Sequence, residues 1–264
     1  MKKLKIVLVS YHNSLPFLYG LEQSEFVREN CEVILKYPDG ARMLLKKECD
    51  VALVPVGIIP QLKISYIVSK YCIGAEGKVA SVLLVSQVPV NEITRVYLDY
   101  QSATSVRLVK ILARHYWKIN PEFVDSKPGY EQKISGTTAG VIIGDRTFEH
   151  TEFNYRYNMA EEWNKFTGLP FVFAVWLAVK PVNPEIKKAL NDALEYGVSH
   201  IEDVIQTYKK KFSPNFNPVE YYTKNISYYL SEQKSKAMNT FIKYMCVMSR
   251  DENDMVKRQL FASR

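Results

Sequence analysis

Cysteine is scarce in this sequence of 264 residues: Cys31, Cys49, Cys72 and Cys246 stand far apart in apolar or strand-like surroundings. That spacing excludes a disulfide framework and predicts reduced, buried thiols. Histidine is as sparse, and His12, His115, His150 and His200 are isolated from one another, so no metal site is expected. No apolar run has the length of a membrane helix. The opening Met-Lys-Lys-Leu-Lys-Ile-Val-Leu-Val is charged, and its apolar run is broken at once by Ser10 and Tyr11. Without a full signal-peptide core or a small-residue cleavage site, it reads as the first strand of a cytoplasmic protein. Basic residues outnumber acidic ones, 35 to 28, for a formal net charge of +7, yet the longest basic block is Lys209-Lys-Lys211. With no zinc-finger, RNA-recognition or basic-heptad signature, this charge predicts a solvated surface, with attraction for a small anion as the second reading and nucleic acid a distant third.

What the sequence does have is apolar material, 47% of residues, enough to bury a sizeable core in one large domain or two lobes. The chain is organised around Ile73-Gly-Ala-Glu-Gly-Lys-Val-Ala-Ser-Val-Leu-Leu-Val85, a glycine-punctuated polar turn running into a β-branched strand, with Ser81 at its exit. Two other segments share the form of an apolar strand ending in small polar residues before a helix. They are Ile6 to Ser10 followed by Tyr11-His-Asn-Ser-Leu-Pro16, and Val96 to Asp99 followed by Tyr100-Gln-Ser-Ala-Thr-Ser-Val106. Ligand sites in open α/β sheets collect at such strand ends, so the three are read as rims of one cleft, and Pro55-Val-Gly57 as a further rim.

In chain order, strands are expected at Leu4 to Val9, Cys31 to Leu35 and Asp50 to Pro55, with helices from Leu15-Pro16 and from Asp39-Gly40 to about Lys47. Short strands at 64–67 and 71–73 precede the strand 82–85. The pattern then restarts with strand 96–98, helix 104–117, strand 122–124, a short helix near 130–134 and strand 140–143. A helix at 161–166 and a strand at 171–179 follow. Helices are expected at 184–211, capped by Asn183, at 219–225 and at 227–247, before a loose helix or tail from Arg250 to Arg264. Strand-helix-strand order argues for parallel pairing. The reading is α/β with a helical C-terminal region. Residues 1–90 with 172–264 form one lobe and 91–171 the other, with crossings near 87–95 and 168–175, a hinge arrangement that closes around a ligand.

Ser10-Tyr-His-Asn-Ser-Leu-Pro16, Asp50-Val-Ala-Leu-Val-Pro55, Ile73 to Val82, Leu98 to Val106, Ile143-Gly-Asp145 and Thr167-Gly-Leu-Pro-Phe-Val-Phe-Ala-Val-Trp176 together resemble the chorismate dehydratases of the futalosine route to menaquinone. The matches run in order from residue 4 to about 178. The resemblance implies a two-lobed periplasmic-binding-protein-like type II fold. It also implies loss of water from chorismate to give 3-[(1-carboxyvinyl)oxy]benzoate, with no metal or organic cofactor. His12, Glu76 and Lys78 depart from the family pattern, which puts substrate affinity in question.

Asn13 follows strand one, where its amide can bond a ligand or form an Asx-turn; the resemblance favours the first. Ser81 is a donor to a substrate oxygen or the partner of a strand-end backbone group. Thr104 and Ser105 stand at a helix start that suits an anion or a plain cap. Asn13 and Ser81 are therefore the expected catalytic residues. Ser10, Tyr11, Pro55, Gly77, Ser102, Thr104, Ser105, Gly144 and Asp145 are expected to bind substrate. Asp99 and Asp145 are not first choices for a base, and the aromatics of 171–176 are read as core packing. The expected partner is a small molecule, with no nucleic acid and no membrane, for a monomer or a homodimer. A non-catalytic solute-binding protein for a small anion is the rival reading. A transcriptional effector domain would need a helix-turn-helix, which is missing.

Overall fold

The computed structural model describes residues 3–36 and 40–262. Strands β1 (Leu4–Leu8), β2 (Cys31–Leu35), β3 (Val51–Pro55), β4 (Tyr66–Ala75), β5 (Val82–Ser86), β6 (Arg95–Leu98), β7 (Glu122–Asp125), β8 (Thr138–Ile143), β9 (Tyr155–Asn158), β10 (Phe171–Ala178) and β11 (Ser227–Tyr229) make two mixed sheets. The helices are α1 (Leu15–Gln23), α2 (Glu25–Asn30), α3 (Gly40–Leu45), α4 (Ala103–Leu112), α5 (Met159–Thr167), α6 (Pro184–Ser199), α7 (Ile201–Tyr208), α8 (Pro218–Glu220) and α9 (Glu232–Ala262). No helix among the described residues is long and apolar enough to cross a membrane.

The first sheet has the order β11-β4-β10-β3-β1-β2 and the second β7-β6-β8-β5-β9. β1 pairs in parallel with β2 and β3, and β6 with β7 and β8, as strand-helix-strand order requires. β3, paired in parallel with β1 and antiparallel with β10 in the middle of the sheet, is buried through Val51, Ala52, Leu53 and Val54. Trp163, Trp176, Phe17, Phe171 and Phe241 fill the core, each contributing about 1.5–3 kcal/mol by burial.

Several boundaries differ from expectation. β5 is hydrogen-bonded between β8 and β9, so the chain leaves the first sheet after Ala75, not near residues 87–95. Its side chains are buried on both faces, which a strand of either sheet can satisfy, so burial alone does not assign it. The expected short strands at 64–67 and 71–73 are one strand, β4, and β9 is an unexpected edge. Ser227–Tyr229 pairs with β4 and is not the start of a helix. The expected helix 184–211 breaks at His200, while Asn183 does cap it, its side chain accepting from Glu185 N at 2.8 Å. Cys31, Cys49 and Cys72 are buried free thiols, but Cys246 is exposed. The expected helix start at Asp39 and the last tail residues, 263–264, lie outside the described residues.

Candidate active site

The rims do meet. Tyr11 and Asn13 after β1, Pro55 at the end of β3, Ser81 before β5, Ser102 to Ser105 at the start of α4 and Gly144 after β8 surround a cavity of about 710 Å³, its open mouth included. Ile73, Val79, Val82, Ile143 and Phe173 supply apolar walls, and none of the lining residues is charged. Ser10, Gly77 and Asp145, expected among the binding residues, are not part of the lining. Ser10 is exposed, Gly77 has open space around its Cα, and the Asp145 carboxylate is turned to His12.

Bonds between the two sheets hold the cavity together. The Tyr11 hydroxyl donates to Gln101 Oε1 at 3.2 Å, and its ring lies on Gly144, where a Cβ would stand 2.6 Å from the ring. Gly144 also has φ +65°, so both the close approach and the backbone call for glycine. His12 N donates to Asp145 Oδ1 at 3.2 Å, and His12 Nδ1 lies 3.2 Å from Asp145 Oδ2. Burial first, then Lys211, pulls His12 down to about 4. Burial pushes Asp145 up to about 6, partly opposed by the His12 backbone bond. At neutral pH a neutral imidazole therefore donates from Nδ1 to a carboxylate. Phe212 and Phe216 pack on the ring at 5.2 and 4.6 Å. His12 thus ties the first rim to the second sheet.

The start of α4 divides its labour in a way the sequence did not separate. Ser102 is the cap, its hydroxyl accepting from Ser105 N at 2.9 Å. Thr104 is a tether: its hydroxyl donates to Phe173 O at 3.0 Å and accepts from Gly57 N at 3.0 Å. Gly57 leaves no room for a side chain, since a Cβ there would meet Ala103 O at 2.5 Å. With its only proton spent on Phe173, the Thr104 hydroxyl cannot donate to a substrate carboxylate. The α4 backbone donors and Ser105 remain for that role.

Beneath this rim lies a buried ionic cluster. Arg146 donates to Asp99 Oδ2 and Glu131 Oε1, both at 2.5 Å, and to Gln101 Oε1 at 3.1 Å. The Tyr130 hydroxyl lies 2.9 Å from Asp99 Oδ2 and also meets Val141 O. Burial pushes the Asp99 carboxyl above its ordinary value, partly opposed by the Arg146 guanidinium and by the bonds from the Gln101 N–H and Tyr130. Asp99 is thus committed to Arg146 and faces no substrate. Because Gln101 Oε1 accepts from both Tyr11 and Arg146, its NH2 group is left to face the cavity that Gln101 lines.

Tyr221 was missed by sequence reading. It follows α8, is 2% exposed, and its hydroxyl lies 2.7 Å from Ser81 Oγ. The buried Asn13 Oδ1 has no partner. Glu76, in the central turn, pairs instead with Lys234 at 3.2 Å and Ser227 at 3.0 Å. Gln101 sits inside a quoted rim motif and could have been found there; Tyr221 carried no local signal.

Two mixed sheets that meet at a polar-rimmed, apolar-walled pocket define the class: a periplasmic-binding-protein-like α/β fold. Residues 4–246 match the menaquinone biosynthesis family, and the chain belongs to it. A chorismate dehydratase of Thermus thermophilus is 26% identical over 231 residues, covering 76% of this chain and 81% of that enzyme. Among solved structures, a protein of Archaeoglobus fulgidus superposes with a TM-score of 0.73 at 11% identity, covering 94% of this chain and 98% of its own. The alkanesulfonate-binding protein of Xanthomonas axonopodis pv. citri, bound to MOPS, gives 0.61 at 16% identity over 92% and 93%. Both likenesses concern the fold.

Proposed function

We propose that this protein is a cytoplasmic lyase that dehydrates chorismate to 3-[(1-carboxyvinyl)oxy]benzoate in menaquinone biosynthesis. Membership of the family and the Thermus relative support it. The observation that carries it is Asn13 Oδ1, a buried acceptor without a partner on the wall of an uncharged cavity. Such an atom costs about 1–3 kcal/mol until a donor reaches it. At neutral pH both chorismate carboxylates are ionised, so the ring hydroxyl is the one hydrogen-bond donor the substrate has. It is also the group that departs.

In the reaction a proton leaves the ring carbon bearing the enolpyruvyl ether, the hydroxyl leaves the neighbouring carbon, and the two depart as water. Negative charge developing at the deprotonated carbon spreads through a ring double bond onto the ring carboxylate, and aromatisation drives the step. Donors on that carboxylate lower the barrier, each worth about 2.7–4 kcal/mol when preorganised; Ser81, on the cavity wall, takes this role, while Gln101 and the α4 start hold the substrate in ground and transition state alike. His12 is tied to Asp145, Asp99 to Arg146 and Glu76 to Lys234, so the proton passes to the substrate's own side-chain carboxylate, held in position by the closed cleft.

Incubating the purified protein with chorismate and following mass tests the reading: loss of one water supports it. Chorismate bound but recovered intact would favour the solute-binding alternative, which the sulfonate-binding neighbour brings forward.

A further inference from the structure

The hydroxyl of Tyr221 reaches Ser81 Oγ at 2.7 Å, although the residue lies 140 positions from Ser81 in sequence. Its ring is clamped edge-on by Phe148 at 5.6 Å and Phe216 at 5.1 Å, and burial pushes its phenol far above 10. The phenol therefore keeps its proton. Its hydroxyl donates to Ser81 Oγ. A hydroxyl that accepts from a fixed donor must turn its own proton elsewhere, and Ser81 lines the cavity.

We propose that Tyr221 is a positioning residue: its phenol donates to Ser81 Oγ and so turns the Ser81 proton toward the substrate, a two-hydroxyl relay. Without the phenol, the Ser81 rotor has other orientations open to it, and its donor is no longer aimed at the cavity. Tyr221 itself touches no substrate. This inference rests on the dehydratase reading above.

The experiment is a kinetic cycle on the intact protein with chorismate, using Tyr221→Phe, Ser81→Ala and the double variant, with thermal melts to count folded molecules. Binding of 3-(carboxymethoxy)benzoate by calorimetry provides a readout independent of turnover. Tyr221→Phe should lower kcat by about tenfold to a hundredfold while leaving analogue affinity and KM within about twofold. In the Ser81→Ala background the same change should cost no more than about a further twofold. Wild-type kcat in Tyr221→Phe, or losses that multiply in the double variant, would overturn the relay. A wild-type protein that binds chorismate without dehydrating it overturns the underlying reading, and the relay with it. If Tyr221→Phe does not fold, 3-fluorotyrosine at 221 preserves shape and strengthens the donor: a changed kcat at unchanged KM supports the relay, and an unchanged kcat sinks it.

Discussion

His12 and Asp145 join the two sheets by a double contact, backbone N–H to Oδ1 and ring Nδ1 to Oδ2, each at 3.2 Å across 133 residues of sequence. The tie lies just outside the cavity, between the two rims that carry Asn13 and Gly144.

The pair predicts an opposed pH response. His12, lowered from 6.5 to about 4, favours the folded state in its neutral form, a contribution lost as pH falls from 6.5 toward 4. Asp145, raised from 3.8 to about 6, takes up its proton more readily when folded, so its contribution grows as pH falls from 6 toward 3.8. Between pH 4 and 6 the two offset. Asp145→Asn should leave the His12 slope bare, so that stability falls on acidification by about 1–2 kcal/mol more than in the wild type, after discounting for solvent screening. His12→Asn should tilt the curve the other way. Calorimetric melts from pH 4.5 to 7 check this, and identical slopes in all three proteins would refute it.

Catalysis should depend on neutral groups. Asn13→Ala and Ser81→Ala are each expected to lower kcat by about a hundredfold. His12→Gln, Glu76→Gln and Asp99→Asn should keep most turnover per folded molecule, though Asp99→Asn removes one partner of a buried pair and should destabilise by about 3 kcal/mol. Loss of turnover in any of these three, with analogue binding intact, would show that a protein base exists.

Gln101 should act on affinity. Its oxygen is held by Tyr11 and Arg146, so Gln101→Leu removes the NH2 donor from the cavity while the lining stays apolar. KM for chorismate should rise by about tenfold with a smaller change in kcat, the effect of one hydrogen bond to a charged group. A selective fall in kcat would instead assign Gln101 to the developing charge.

Thr104 and Ser105 should separate. Thr104→Val deletes a tether between α4, β10 and Gly57 and should cost about 1–3 kcal/mol of stability, with KM little changed among folded molecules. Ser105→Ala should raise KM and barely move the melting temperature. The reverse pattern, read from melts and initial rates together, would return Thr104 to the substrate.

Closure should respond to ligand, because a dianion held by donors of both sheets favours the state in which they meet. Small-angle scattering with saturating 3-(carboxymethoxy)benzoate should give a smaller radius of gyration than the free protein, and an unchanged profile would indicate a rigid preformed site.

The local elements and the rims were legible in the sequence. β-branched runs such as Val51 to Val54 and Val82 to Val85 declare buried strands. Small polar residues after them declare strand ends, which is how Asn13, Ser81 and Ser102 to Ser105 came forward. These are properties of neighbours in sequence, where period and propensity act. The tertiary structure alone decided which sheet receives β5, since a strand buried on both faces satisfies its pattern in either. It alone spent the Thr104 hydroxyl on Phe173 and tied Asp145 to His12, leaving the Asn13 oxygen unpaired. It brought Tyr221 to Ser81 across 140 residues. A hydroxyl's role is set by which donor or acceptor lies within about 3 Å. For these residues that partner comes from a distant segment, whose approach depends on the packing of the whole chain.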